Sequence, residues 1–305
     1  MKTKTAPILA LLLLCLLWAS GSLRSDLLPG SVPDGGSSLL VVQAIPLSVL
    51  AGISAVAAFL RKAPWPRGSV LGSTVLSGIG LFSAPSLLIE ITKGNIDDIT
   101  RVALFSLTPV FSVVFEPYFG SGSTSQQRGG LAASLIAVCG TLLVFPVNVP
   151  QSGTAVLACV GILAAAASVA AANCFSVRLV CEQPTKSLLS FAAVATGSAA
   201  VVLAAWSAVF ERHTSSSPRI DVWAVLDLLT LVLLFWLMRR MTAVRMTTRF
   251  LIAPLLANLA GLAFLHPGVQ ARGWLGLLLI AVGSGWLLLG PEDEPEGTSS
   301  SLGIN

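Results

Sequence analysis

The stretch RGGLAASLIAV at residues 128–138 recurs as RGWLGLLLIAV at residues 272–282. Seven of the eleven positions are identical, and the copies are 144 residues apart (272 − 128), which is about half of the 305-residue chain. Both copies begin with Arg-Gly at the start of a long apolar run. This recurrence indicates that the chain consists of two related halves.

The composition around these copies is that of a polytopic membrane protein. Hydrophobic residues make up 54% of the chain and charged residues only 10%, whereas a typical soluble domain is about 25% charged. So few charges could not cover the surface of a soluble fold, so a water-soluble enzyme is excluded, and the chain is too apolar for disorder. The net charge of +4 suits cytoplasmic helix ends in a lipid bilayer and predicts no nucleic-acid partner.

Ten apolar runs are long enough to cross a membrane, because a hydrocarbon core of about 30 Å needs roughly 20 helical residues. Twelve of the 18 Lys and Arg residues fall on the side of the N-terminus, so the positive-inside rule places both termini in the cytoplasm. The sequence therefore predicts an all-α membrane protein with ten transmembrane helices. The predicted spans are 6–23, 38–60, 69–91, 99–119, 130–148, 154–177, 187–210, 221–239, 243–265 and 273–290.

The first span also resembles a secretory signal peptide, because Lys2 and Lys4 precede an apolar run that is followed by Ala19-Ser20-Gly21. The run 6–23 is longer than a usual signal core. Its removal would leave nine spans, which cannot form two equal sets. We therefore expect the first span to be retained as a helix.

The ten spans divide into two sets of five, in residues 1–150 and 151–290, before an acidic cytoplasmic tail at 291–305 that we expect to be disordered. In each set a span with a central proline, Pro109 or Pro254, precedes the last span. Because five is odd, the second set must cross the membrane upside down. Two inverted five-helix repeats are typical of alternating-access transporters, in which substrate binds near the midplane between the halves.

The chain resembles the EamA-type transporters of the drug/metabolite transporter superfamily over residues 6–290. The resemblance lies in LWAS at 17–20, similar to the Trp-Gly-Ser of that family, in ALFSLTPVF at 103–111, and in the Arg-Gly-x-Leu that opens the fifth and tenth spans. Family members often have an arginine early in the second span, where this chain has Gln43. They also carry Gly-Glu after the fourth helix of each repeat; here those positions are Gly120-Ser121 and Leu265-His266, and Glu116 lies five residues earlier.

The resemblance implies a secondary active transporter that exports a small polar metabolite such as an amino acid or an amine, driven by a proton or substrate gradient. The short loops fit a bacterial inner membrane. One alternative is a nucleotide-sugar or sugar-phosphate exchanger, which needs deep basic residues such as Arg249 for phosphate. Another is a non-transporting membrane scaffold or lipid-handling protein.

A membrane-embedded enzyme, a metal site and a cofactor are all disfavoured. Both histidines, His213 and His266, fall in polar connections, and the five cysteines are scattered without a C-x-x-C pair. These residues do not provide the ligands of a metal centre. The sequence predicts that the protein is not an enzyme.

Polar and aromatic groups inside the spans are the candidates for substrate contact, because polar groups are costly there. Amides both donate and accept hydrogen bonds, and tryptophans could wall a cavity. The alternatives are that the amides join helices, at about 0.6–2 kcal/mol each, and that a threonine satisfies its own backbone. The candidates are Trp18, Gln43, Thr108, Asn173, Trp236 and Asn258.

Three charged residues are candidates for coupling or gating. Asp227 in the eighth span predicts a proton carrier or an amine contact, or else a structural carboxylate paired with Arg101. Glu90 and Arg101 flank the outer ends of the third and fourth spans. They predict either a solvated rim or an outer gate.

Three prolines, Pro85, Pro109 and Pro254, lie inside predicted spans, where each produces a kink or frees a carbonyl for a ligand. Arg245 and Arg249 are four residues apart, which places them on one face of a continuous helix. We expect both arginines to anchor the inner end of the ninth span, with anion binding as the alternative.

Overall fold

The computed structural model describes residues 5–27, 39–119, 124–147, 150–182, 187–210, 222–265 and 270–290. In this part of the chain every element is helical, apart from one isolated bridge between Lys93 and Ile96. The predicted tail at 291–305 and both histidines lie outside the described residues. The helices are α1 Thr5–Leu27, α2 Leu39–Leu60, α3 Ser69–Gly78, α4 Ala84–Thr92, α5 Asp98–Phe105, α6 Thr108–Phe119, α7 Thr124–Val144, α8 Gly153–Glu182, α9 Leu188–Phe210, α10 Val222–Met238, α11 Ala243–Thr247, α12 Arg249–Leu265 and α13 Ala271–Leu289.

Ten helical stretches correspond to the ten predicted spans. Within the described residues, seven stretches are long and apolar enough to cross a membrane, and three shorter apolar helices occupy Thr5–Ser20, Gly129–Val144 and Val225–Met238. The protein is therefore a multi-pass helical membrane protein. Helix α8 extends to Glu182, beyond the predicted end at residue 177.

Two spans are interrupted, the fourth near its middle and the ninth five residues after its start. The fourth is divided between α5 and α6 at Ser106 and Leu107, and the ninth between α11 and α12 at Thr248. At the first break the hydroxyls of Ser106 and Thr108 donate to carbonyls three residues earlier, each at 2.6 Å. Such bonds compete with the helical ladder, and Pro109 adds to the first break because it has no N–H to donate.

Thr247 and Thr248 form the same kind of bond at the second break. Their hydroxyls donate to the carbonyls of Val244 and Arg245, at 2.9 Å and 2.6 Å. The predicted ninth span thus contains a turn at Thr248, and Ala243–Ala263 is still one stretch long and apolar enough to cross a membrane.

The third span contains a π-helical segment, Ile79–Ser83, between α3 and α4. Pro85 follows directly at the start of α4. Small residues bring this span close to its neighbours: a Cβ atom at Gly78 would overlap the backbone of Ala195, and Ser168 donates to the carbonyl of Gly80 at 3.1 Å.

The two helices that carry the repeated sequence, α7 and α13, pack directly on each other. A Cβ atom at Gly140 would lie 2.6 Å from the carbonyl oxygen of Gly276, and one at Gly283 would lie 2.6 Å from that of Ala133. The earlier residue of α7 thus meets the later residue of α13, so the helices are antiparallel. Such close approach of backbones is typical of small-residue packing in membranes.

Three further helix pairs also pack on each other in the bundle. Helix α2 packs on α9, α1 packs on α12, and α6 packs on α8. In the first pair Leu40 and Leu203 share a cluster, and a Cβ atom at Gly197 would lie 3.6 Å from that of Ala51. Early residues of α2 therefore meet late residues of α9, and this pair is antiparallel too.

Candidate functional site

A buried arginine stands at the break in the ninth span. Arg249, the first residue of α12, is only 4% exposed. Its guanidinium carbon lies 5.6 Å from the ring centre of Trp18 in α1 and 4.9 Å from that of Phe250. Its Nη1 atom is buried without a hydrogen-bond partner. No Asp or Glu among the described residues forms an ion pair with it.

Aromatic rings from two spans contact this arginine, and a ring from a third span stacks on one of them. The ring centres of Trp18 and Phe250 are 5.3 Å apart, and Phe105, at the end of α5, stacks on Phe250 at 6.1 Å. Trp18 is 40% exposed although it contacts α12, so part of its ring is not covered by the described residues. We call Trp18, Phe105, Arg249 and Phe250 the Arg249 site.

The Arg249 site contains a charge that its surroundings compensate only in part. An arginine costs about 2.5–3.5 kcal/mol at the centre of a membrane helix and less towards its ends, where Arg249 lies as the seventh residue of the stretch Ala243–Ala263. A desolvated cation–π contact contributes about 2 kcal/mol. The guanidinium keeps donors for a partner, and a planar fork of donors matches a carboxylate or a phosphate. The arrangement can therefore bind an anionic group.

The anchor interpretation is wrong for Arg249, because the guanidinium is buried. It suits Arg245, which lies at the inner end of the span and donates to the carbonyl of Gly290 at 2.7 Å. Arg245 lies one turn nearer the start of the span than Arg249.

The predicted substrate contacts are dispersed. Trp18 lies in the Arg249 site, and Thr108 is buried beside it at the first break with its hydroxyl bound to Phe105. Trp236 pairs instead with Arg240, whose guanidinium carbon is 5.0 Å from the ring centre.

The three amides also occupy different places. Gln43 is partly buried in α2. Asn173 is fully buried in α8, where its amide nitrogen donates to Val169 at 3.0 Å and its oxygen has no partner. Asn258 in α12 donates to the carbonyl of Pro254 at 2.8 Å. The contacts of Asn173 and Asn258 are made within their own helices.

The charged candidates lie towards helix ends. Arg101 binds Asp98 at 2.6 Å, and Glu90 lies 3.7 Å from Lys93. One oxygen of Glu90 and the Nε of Arg101 are nevertheless buried without hydrogen bonds. Asp227 is the sixth residue of α10, and its side chain is exposed.

The three prolines mark irregular backbone in different ways. Pro85 and Pro109 are buried near the starts of α4 and α6, directly after the π segment and the first break. Pro254 lies inside the continuous helix α12. Only the first two therefore coincide with an interruption of the α-helix.

Two features of the site were missed from the sequence. The burial of Arg249 and its approach to Trp18 join residues 231 positions apart (249 − 18), and a single sequence gives no signal for that contact. The adjacent Thr247-Thr248 pair is a weak signal for the break, because threonine hydroxyls compete for helical carbonyls. Among the described residues, no group of three or more His, Cys, Asp or Glu side chains could hold a metal ion.

The fold is similar to that of a known crystal structure. That chain is 14% identical to this one; the similarity covers 94% of this chain and 99% of that chain, with a TM-score of 0.69. At this identity the likeness shows the fold alone. No protein-family model and no protein of curated function matches the chain.

Proposed function

We propose that the protein is a secondary active transporter that moves a small polar metabolite across the cell inner membrane by alternating access. The observation that carries the proposal is Arg249, a buried cation that forms no ion pair with any described residue and lies against the rings of Trp18 and Phe250. Intramembrane charges usually mark substrate pathways, and interrupted helices form the substrate sites of many transporters.

The proposal includes two inverted five-helix repeats that span residues 1–150 and 151–290. The antiparallel packing of α7 and α13 supports it, because these helices carry the two copies of the repeated sequence. If the two halves are exchanged, α1 takes the place of α8 and α12 takes the place of α6. The contact of α1 with α12 then corresponds to that of α8 with α6, and both contacts are present. Both breaks also fall in the fourth span of a repeat.

If both termini lie in the cytoplasm, as we propose, one helix contact supports a conformation closed on the cytoplasmic side. Helix α11 packs on α6, with Val244 and Val113 in one buried cluster, at the cytoplasmic ends of the ninth and fourth spans. Trp18 lies just past the middle of α1 and keeps part of its ring exposed. The Arg249 site would then be approached from outside the cell.

The chemistry of the Arg249 site favours a substrate with a carboxylate. A guanidinium repels a simple amine and pairs with a carboxylate through two hydrogen bonds. The exposed part of Trp18 offers an apolar surface for the body of the molecule. An amino acid satisfies both requirements, and its export follows the resemblance to EamA-type transporters.

A second candidate, an exchanger of sugar phosphates or nucleotide sugars, is favoured by the same buried arginine. Phosphate also binds the guanidinium fork. Phosphate carries more charge than a carboxylate, and Arg249 is the one cation at the break itself among the described residues. The carboxylate is therefore the better match in charge.

Counterflow in proteoliposomes tests the proposal with labelled amino acids, other carboxylates, amines and sugar phosphates. We expect exchange of a carboxylate-bearing solute, with Asp227→Asn unchanged because that side chain is exposed near one end of its helix. A preference for phosphates would select the exchanger, and a preference for amines would contradict the role of Arg249. Absence of exchange by folded protein would favour a scaffold or lipid-handling role.

A further inference from the structure

A cationic loop of eight residues connects the second and third spans. The second span ends at residue 60 and the third begins at residue 69, so the segment 61–68 lies directly at a membrane surface. With both termini in the cytoplasm, as proposed above, this surface is the cytoplasmic one. Three cations and a tryptophan are exposed in the loop, and we call them the loop patch: Arg61, Lys62, Trp65 and Arg67.

Buried contacts hold the backbone of this loop in place. Ala63 is only 6% exposed, and the buried hydroxyl of Ser190 in α9 donates to the carbonyl of Pro64 at 2.6 Å. Pro64 and Pro66 flank Trp65, and each proline fixes its own φ angle. Because the loop is already ordered, little conformational freedom is lost when it binds a partner.

The end of α2 places a lysine where glycine is the usual residue. The N–H of Lys62 donates to the carbonyl of Phe59 at 3.0 Å. The N–H of Ala63 donates to the carbonyl of Ala58 at 2.8 Å, and the two bonds together close the helix as a Schellman motif. Lys62 has a φ angle of 49°, in the left-handed region that disfavours a side chain. The backbone therefore does not require this lysine, which adds a charge to the surface.

The cations of the loop patch differ from others at the same side of the bundle. The side chains of Arg61, Lys62 and Arg67 form no hydrogen bond, ion pair or ring contact with any described residue. These three charges are therefore available to a ligand. Other cations on this side have partners within the protein: Arg178 binds Glu182 at 2.7 Å, Arg240 lies 5.0 Å from the ring centre of Trp236, and Arg245 donates to Gly290 at 2.7 Å.

The two spans that the loop joins supply no acidic residue to balance it. Residues 39–89 contain no Asp or Glu, so the three cations give this segment a net charge of +3. Trp65 borders a small cavity together with Leu179 of α8, so the loop lies beside the inner end of that helix. The acid at that end, Glu182, is already paired with Arg178. The loop patch is therefore a concentrated positive surface.

We propose that the loop patch binds the headgroup of an anionic phospholipid such as phosphatidylglycerol. Lys and Arg side chains next to a membrane helix attract anionic lipids, and a guanidinium pairs with phosphate oxygens through two hydrogen bonds. The exposed ring of Trp65 lies at the level of the headgroups, where amphipathic aromatic rings are favoured. Because the loop directly joins two spans, lipid phosphates surround it at high local concentration. Lipid is therefore favoured over soluble phosphate.

Native mass spectrometry of the protein purified in detergent tests the proposal with phosphatidylglycerol and with phosphatidylcholine of the same chain length. Each cation near a membrane surface contributes about fivefold in affinity, so the wild type should bind phosphatidylglycerol about hundredfold more tightly. Arg61→Gln/Arg67→Gln should weaken the binding of phosphatidylglycerol by about 25-fold. Equal affinity of the wild type for the two lipids would overturn the proposal.

The matched control is Arg178→Gln/Arg240→Gln, which removes the same charge from the same side of the bundle. Both of these cations already have partners, so the affinity for phosphatidylglycerol should stay within about twofold of the wild type. Equal losses in the two double variants would show that the lipid responds to net charge alone. Inorganic phosphate at the concentration of the lipid should not displace it, and displacement would assign the patch to a soluble anion instead.

The variant Lys62→Gly separates lipid binding from folding. Glycine is favoured at this left-handed position, so the melting temperature should not fall. The affinity for phosphatidylglycerol should nevertheless fall by about fivefold. Unchanged affinity, or a lower melting temperature, would contradict the role of Lys62 as a lipid contact.

A second measurement locates the lipid on the wild type and needs no variant. A phosphatidylglycerol with a photoreactive headgroup should crosslink to residues 61–68 of the protein in vesicles. Crosslinks spread over the other loops would overturn the proposal. Neither measurement requires transport, so absence of counterflow would contradict the proposed function and leave the lipid site standing.

Discussion

The protein contains two arginine–tryptophan pairs that have similar geometry and different surroundings. In one, the guanidinium carbon of Arg240 lies 5.0 Å from the ring centre of Trp236; in the other, that of Arg249 lies 5.6 Å from the ring centre of Trp18. Arg240 is exposed just after the end of α10, whereas Arg249 is 4% exposed at the break in the ninth span. Both pairs are cation–π contacts, but only the arginine of the second pair is buried.

This difference indicates what each pair does. Exposed cation–π pairs contribute about 0.5–1 kcal/mol, and a hydrated arginine at a helix end needs no further partner. A buried guanidinium with a free donor is costly, so its presence calls for a partner that completes its hydrogen bonds. We therefore expect Arg240 to anchor a helix end and Arg249 to bind substrate.

Replacing each arginine with glutamine should give the largest contrast between the pairs. A hydrogen bond to a charged group contributes about 1.5–3 kcal/mol, so Arg249→Gln should lower the rate of exchange at low substrate concentration by about tenfold to hundredfold. Arg240→Gln should remain within about twofold of the wild type, as exposed cation–π pairs are weak. Counterflow with the identified solute measures both.

The comparison fails if the two variants lose activity equally, because the loss would then follow from the removal of any positive charge. Arg249→Lys separates charge from geometry. Lysine keeps the charge but lacks the planar fork, so we expect activity between that of the wild type and that of Arg249→Gln. Full activity of the lysine variant would contradict paired hydrogen bonds to an anion.

Much of the fold could be predicted from the sequence, because membrane spans depend on a simple requirement. A bilayer demands about 20 apolar residues per helix, and ten such runs occur where ten helical stretches are found. The breaks could not be placed in this way. They depend on local competition between hydroxyls and the helical ladder at Ser106 and Thr248, and hydropathy does not report it.

The site was less predictable, for a reason that the two pairs make clear. Trp236 and Arg240 are four residues apart, so their contact follows from helical spacing. Trp18 and Arg249 meet only through the packing of α1 on α12. Helical spacing relates Arg249 to Arg245 but gives no sign of the contact that buries Arg249 against Trp18.

Apolar replacement of the arginines should distinguish function from stability. Arg249→Met removes a charge that costs at most about 2.5–3.5 kcal/mol in a membrane helix and a cation–π contribution of about 2 kcal/mol. The empty protein should therefore lose no stability and gain at most about 1 kcal/mol, while exchange is lost. Arg240→Met should change neither, because its guanidinium is exposed. Thermal unfolding in detergent without substrate measures the stability, and a lower melting temperature for Arg249→Met would assign that arginine to structure.

Replacing the two tryptophans should give the smallest difference between the pairs. This comparison separates the contribution of the aromatic ring from that of the arginine charge. Trp18→Leu leaves Arg249 in contact with Phe250 at 4.9 Å, so the guanidinium keeps one aromatic face. Because the exposed part of Trp18 is available to the ammonium group of an amino acid, and such a partly exposed cation–π contact contributes about 0.5–1 kcal/mol, apparent substrate affinity should fall by about twofold to fivefold. Trp236→Leu should leave it unchanged, since that ring contacts Arg240 at a helix end. Concentration-dependent counterflow measures both affinities. Equal losses would show that both rings act on substrate, and no loss in either would leave Arg249 as the sole contact, with Trp18 serving to hold it in place.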